Sequence, residues 1–140
     1  MLDLIRNRQK ELENDAKAKE ELASKLREEA VQMFSDTNIP AMWDSIKDIK
    51  VPHWRIQESR DGSVADRDLV PLLEHMRTVT DTSISVLGWN GKVTRKWAVK
   101  VTDKNSVVCQ ITRDGMVYNS TVEEMRNDFV DYMAKLLPPV

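Results

Sequence analysis

The stretch that most constrains the fold is residues 82–119, TSISVLGWNGKVTRKWAVKVTDKNSVVCQITRDGMVYN. Runs of β-branched and aromatic residues alternate there with turn-forming pairs, the pattern of an antiparallel meander. Asn90-Gly91 is the pair favoured by a two-residue hairpin with positive φ at both central positions. Such a turn sets Trp89 opposite Lys92, Gly88 opposite Val93, Val86 opposite Arg95 and Ile84 opposite Trp97. Residues directly opposed share one side of a sheet. Ile84, Val86, Val93, Trp97, Val99 and Val101 therefore fall on an apolar face. Ser85, Leu87, Trp89, Lys92, Thr94, Lys96 and Lys100 fall on the other.

The next connection tests that sorting. A two-residue loop at Lys104-Asn105 would move Gln110 to the apolar face and Cys109 to the polar one. A three-residue loop, Asp103-Lys104-Asn105 with Asn105 left-handed, pairs Val101 with Val107, Val99 with Cys109 and Trp97 with Ile111. A one-residue slip reverses every side chain, so the longer loop is expected. Asp114-Gly115 turns the chain again and brings Tyr118 opposite Ile111. Arg95 is the polar exception on the apolar face and is expected to reach out past the sheet's end.

The apolar face needs cover, and the flanking segments read as helices. Residues 3–36 contain neither Gly nor Pro and are rich in strong helix formers. A helix of that span is about 50 Å long, longer than a small domain is wide. A seam with 3-4 spacing runs through Leu2, Ile5, Gln9, Leu12, Ala16, Lys19, Ala23, Leu26, Ala30 and Met33. It suits a coiled-coil dimer held by Leu2, Ile5, Leu12, Leu26 and Met33. The plainer alternative is a charged surface helix whose last turns, with Leu22, Leu26, Met33 and Phe34, dock on the body.

A short helix follows over 40–49, with Pro40 in its first turn and Met42, Trp43, Ile46 and Ile49 as its stripe. Residues 51–56 are extended, with Pro52 confining them to an edge. Residues 58–63 form a polar turn. A third helix is expected from Asp66 or Asp68 to Thr78, turning Leu69, Leu72, Leu73 and Met76 to the core. Ser120 and Glu123 have the spacing of a capping box. The helix over 121–137 then presents Val122, Met125, Phe129, Tyr132, Met133 and Leu136 to the meander. The fold class is α+β: a four-stranded antiparallel β-meander packed by a C-terminal helix and two short helices, with a long N-terminal helix. Residues 1–36 form the helix and 37–140 a single globular domain.

At 140 residues and 41% hydrophobic content, the chain can build one good core. The single Cys109 excludes an internal disulfide and suits a reducing compartment. Its place on the inner face makes it a small core residue rather than a nucleophile. MLDLIRNRQKE lacks the apolar region of a signal peptide, and no apolar run approaches the ~18 residues of a membrane span. A cytoplasmic protein with no membrane partner is the expectation. His53 and His75 have no second His or Cys at metal-ligand spacing. No phosphate-binding glycine loop or nucleophile elbow occurs either, so no cofactor, metal or catalytic residue is expected. Glu74-His75 reads as a solvated pair.

Two features carry functional weight. Residues 92–113 hold Lys92, Arg95, Lys96, Lys100, Lys104 and Arg113 against Asp103 alone, in a chain of net charge −2. Lys92, Lys96 and Lys100 in a row, bordered by Trp89 and Leu87, suit a phosphate backbone with a stacked base. They equally suit an acidic protein partner, or simply keep a half-solvated sheet from pairing with its neighbours. The amino-terminal helix is the second feature. Together they point to a small non-enzymatic interaction module, an adaptor, inhibitor or accessory factor, that is dimeric through its helix. A nucleic-acid-binding protein using the lysine face is the alternative, and an enzyme with carboxylate chemistry near residues 58–68 a more distant one.

Overall fold

The computed structural model describes residues 1–53, 69–88 and 90–139. The elements in chain order are α1 (Leu2–Asp36), α2 (Ile39–Ile46), β1 (Lys50–Pro52), β2 (Leu69–Pro71), a 3-10 turn (Leu72–His75), β3 (Met76–Val79), β4 (Ser83–Leu87), β5 (Val93–Val101), β6 (Val107–Arg113), β7 (Met116–Ser120) and α3 (Val122–Leu136). The protein is α+β. Strands β3 to β7 form a five-stranded antiparallel sheet in sequence order, and β1 pairs with β2 in a separate two-stranded ribbon. The expected four-stranded meander is thus the last four strands of a larger sheet.

The expected register holds through most of the meander. Ile84 faces Trp97 and Val86 faces Arg95. Val101 faces Val107, Val99 faces Cys109 and Trp97 faces Ile111. Ile111 faces Tyr118. Asn105 is left-handed, with φ 58, and the loop closes through Thr102 N–H to the Ser106 carbonyl and Asn105 N–H to the Thr102 carbonyl. Asp114 and Gly115 both have positive φ, 49 and 85, the pair of values that a two-residue hairpin with the right-handed strand twist requires.

The first hairpin differs. Gly88 N–H donates to the Lys92 carbonyl at 2.8 Å and Gly91 N–H to the Gly88 carbonyl at 3.0 Å, while Gly91 takes positive φ, 78, and Asn90 does not. This is the same three-residue closure as at 102–106, not the two-residue turn expected at Asn90-Gly91. The extra loop residue would slip every later pair, but a bulge intervenes: Leu87 faces Val93 and Val86 faces Arg95. An added residue in the loop and an added residue in the strand offset each other. Their local effect is a change of face. Val93 pairs beside Leu87 on the outer side, and the Thr94 hydroxyl meets Tyr132 Oη of α3 at 3.3 Å on the inner side, the reverse of the expected assignment for both.

The third helix is not formed in its described part, 69–78. Pro71 is extended, at φ −57 and ψ 143, and one 3-10 turn separates it from β3. Helical spacing of Leu69, Leu72 and Met76 misleads because β2 and β3 instead supply ladder partners for β1 and β4. Leu72 is buried, whereas Leu73 is exposed. Helix α3 starts one residue later than expected. Its capping box is Thr121 with Glu124, the Glu124 N–H donating to Thr121 Oγ1 and the Thr121 N–H to Glu124 Oε1.

One core joins these elements. Phe34, Ile39, Trp43, Val51, Leu72, Ile84, Val86, Trp97, Ile111, Met125 and Phe129 pack together, with Ala30 from α1 and Cys109 among them. Ile49, expected in the α2 stripe, lies beyond the helix and is exposed. The last turns of α1 and the inner stripe of α3 lie over the sheet's apolar face. Arg126 fixes the two helices to each other by donating to the carbonyls of Thr37 and Asp36 at 3.0 and 2.7 Å.

Trp97 brings a polar group into this core. Its ring is fully buried and stands edge-on to Phe129 and Tyr132, at 4.9 and 5.4 Å between centroids. Its Nε1–H donates to Asp128 Oδ2 at 2.8 Å. Arg95 Nη1 donates to both Asp128 oxygens, at 3.0 and 3.2 Å, and Arg113 Nη2 donates to Oδ1. Arg95 therefore does not run out past the sheet. It lies over the Tyr132 ring, 5.0 Å from its centre, neutralised by a carboxylate from the helix above.

Asp128→Ala removes the acceptor of a buried indole N–H together with the counter-charge of Arg95, and should cost about 2–4 kcal/mol in urea unfolding. Arg113→Ala removes a half-exposed partner and should cost under about 1 kcal/mol; equal losses in the two variants would show that the stability does not come from Asp128 holding Trp97 and Arg95. A Cβ on Gly88 would lie 2.6 Å from Thr94 Cγ2. Gly88→Ala should destabilise by about 1–3 kcal/mol, and adding Thr94→Ser, which deletes that methyl, should recover much of the loss in a double-mutant cycle.

Candidate functional site

Helix α1 is one continuous element of 35 residues with two different environments. Residues 1–25 are exposed throughout, and burial begins at Leu26 and continues at Ala30 and Phe34. The boundary follows from length: a helix of about 50 Å overshoots a body whose sheet only its last turns can reach. A seam of 3-4 spacing drifts by only about 20° per heptad around a straight helix, so the face that docks from Leu26 onward continues, slowly turning and bare, before it.

The five expected seam residues consequently separate. Leu26 is buried and Met33 packs against the core, so both are used within the chain. Leu2, Ile5 and Leu12 are 58%, 58% and 52% exposed. Leu4, which lay outside the expected seam, is also exposed and joins Ile5 and Leu12 along an open apolar groove that Arg8 and Gln9 border. A second concavity of about 460 Å³ lies where α1 enters the body. Leu22, Ala23 and Leu26 line one side and Val101 and Asn105 of the β5–β6 hairpin the other. This concavity escaped sequence reading, since it depends on where the helix crosses the hairpin.

The outer sheet face keeps part of its lysine row. Lys96 and Lys100 stand four positions apart on β5, with buried Ala98 between them, and share that face; Lys96 is half-buried. Lys92 is exposed and precedes the bulge, which breaks the alternation between it and Lys96. Leu87 is half-buried beside Val93. Trp89 lies outside the described residues, as do Trp54 and the 58–68 segment considered for carboxylate chemistry.

Arg95, Arg113, Asp128, Asp131, Tyr132 and Lys135 line a polar cleft of about 230 Å³ at one end of the sheet. Asp128 binds both arginines there, so one carboxylate is shared between two guanidinium groups and the cluster keeps a net positive charge. Among the described residues no helix is long and apolar enough to cross a membrane.

The tertiary fold also joins the two histidines that sequence spacing kept apart. Their ring centres are 5.8 Å apart, His53 just after β1 and His75 closing the 3-10 turn after β2. Pairing of β1 with β2 brings the two chain segments side by side, a long-range event with no local signature. His75 is buried, and that burial lowers its pKa from the ordinary 6.5; His53 pushes in the same direction and Glu74 opposes. Burial conversely raises the pKa of Cys109, which keeps that thiol protonated and unreactive.

A lowered histidine pKa means that folding favours the neutral ring. As pH falls through the unfolded value near 6.5 the unfolded chain takes up the proton first, so this contribution to stability is complete above that pH and is lost below it. Urea midpoints should drop between about pH 7.5 and pH 5.5, and drop less in His75→Gln. An identical drop in the variant would assign the effect to other groups.

Set against protein-family models, curated proteins and solved structures, the chain matches none of them.

Proposed function

We propose that the protein is a small interaction module that works by binding rather than by catalysis, and that its projecting helix associates with a second copy of the chain. One observation carries this reading: residues 2–25 form helix that is exposed at every position and yet present Leu2, Leu4, Ile5 and Leu12 to solvent. Isolated helices gain little from propensity alone in water, and tertiary packing of an apolar face supplies most helical stability. An amphipathic helix whose face is bare for most of its length is completed by a partner. The sheet and α3 then act as a folded anchor that holds the helix by its last turns.

Sedimentation of the full chain should give twice the 16.1 kDa mass of a single chain. Ile5→Glu combined with Leu12→Glu should return it to the single-chain mass. Both positions are more than half exposed, so the unfolding free energy of the single chain should change by no more than about 0.5 kcal/mol. A wild-type chain that sediments at the single-chain mass at all accessible concentrations would rule out self-association.

A further inference from the structure

We propose that the bare part of α1 pairs antiparallel with the same part of a second copy, in one register. That register sets Leu2 level with the second copy's Leu26, where its α1 enters the body, Ile5 beside its Ala23, Gln9 beside its Lys19 and Leu12 beside its Ala16, with each pair repeated by the dyad. The inference rests on the self-association proposed above and adds its orientation and alignment.

Side-chain size is the first argument. The large seam residues Leu2, Ile5 and Leu12 all lie in the first half of the exposed stretch, and the small ones, Ala16 and Ala23, in the second. Parallel packing would stack like on like, placing Ala16 against Ala16 and Ala23 against Ala23 and leaving voids that helices cannot close without bending. Antiparallel packing sets a large residue opposite a small one at both Ile5–Ala23 and Leu12–Ala16, the alternation that fills a seam at native density.

Charge is the second. A parallel pair would bring two Lys19 ammonium groups together in the seam, where desolvation makes like charge costly. The antiparallel register gives each Lys19 the side-chain carbonyl of Gln9 as an acceptor, so the two polar seam positions occupy one layer. Beside the seam each orientation offers one opposite-charge pair twice: Arg6 with the second copy's Glu20 in the antiparallel pair, Arg8 with its Glu13 in the parallel one. Like charges near the middle occur in either orientation: Glu13 and Asp15 approach their own copies in one, and Asp15 approaches Glu20 in the other. Lys19 and the size pattern therefore decide.

Length is the third. The helix is bare through residue 25, and the next residue enters the body. The proposed overlap uses all of that length and no more. It delivers the start of the second helix to the concavity between Leu22, Leu26 and Val101, where Leu2 of the second copy fits. A longer overlap would drive that end into the β5–β6 hairpin, and a shorter one would leave Leu2 or Ile5 in water. Because each copy offers the same surface, the pair closes on itself with a two-fold axis.

Cysteine pairing tests the register in the full chain, with buried Cys109 left in place. Chains carrying Gln9→Cys and chains carrying Lys19→Cys, mixed and mildly oxidised, should give a disulfide-linked mixed dimer, while each alone stays unlinked. Self-linking of the Gln9→Cys chain would overturn the proposal in favour of parallel packing. A sample that sediments as a dimer but does not form the mixed link would overturn the register. One that sediments as a single chain would instead overturn the self-association beneath it. Spin labels on Asp3→Cys give an independent reading. They should lie more than about 30 Å apart in the antiparallel pair, against about 20 Å for parallel helices, because 22 residues of rise then separate them.

Discussion

A buried indole must place its N–H somewhere, and in this protein the choice made by Trp97 organises the rest. Asp128 accepts from it, and the same carboxylate, on α3, accepts from Arg95 and Arg113 on neighbouring strands. A carboxylate so enclosed would be destabilising alone. Three donors from two strands make it a fixed point that sets where α3 lies along the sheet. The apolar contacts of Met125, Phe129 and Met133 then fall over the right part of the β5–β6 face. Without that polar anchor the same stripe would have several nearly equivalent ways to slide, since hydrophobic contact has little direction of its own.

The same body determines what α1 can do. Its seam runs the whole length, interrupted by Gln9 and Lys19, but only residues from Leu26 onward meet the core, because a helix of this length extends beyond this sheet. Docking and projection are consequences of one pattern read against one dimension. The seam positions Leu26 and Met33 serve the fold, and Leu2, Ile5 and Leu12 remain available. Arg126, bound to the carbonyls at the end of α1, holds the helix to α3 and so gives the projecting part a firm base.

The meander's register was legible because turn chemistry and a strict two-residue period constrain each other. Its first hairpin shows why agreement at a distance can conceal a local difference. A two-residue turn and a three-residue turn followed by a bulge place Ile84 opposite Trp97 alike, and only the side-chain faces near the bulge distinguish them. Gly88 is the residue that records the second solution, since Thr94 packs where its Cβ would be. The helix expected over 69–78 failed for a different reason. Apolar spacing there satisfied the helical period, but strand partners made by other parts of the chain used the same residues, and propensity yields to such pairing. Trp97 was recognised as core while its acceptor was not, because nothing local links residue 97 to residue 128.

By itself the amino-acid sequence determined the α+β class, the long amino-terminal helix, the alternation that sorts β4 to β7, the left-handed Asn105 loop and the apolar stripe of the last helix. Each of these rests on interactions within a few residues or on a simple period. Tertiary structure alone decided the fifth strand, the β1–β2 ribbon, the meeting of His53 with His75 and the capture of Arg95 by Asp128. It also decided the point along α1 at which docking ends. Those outcomes depend on which distant segments compete for the same hydrogen bonds and on how far the body extends, quantities that no short window of sequence contains.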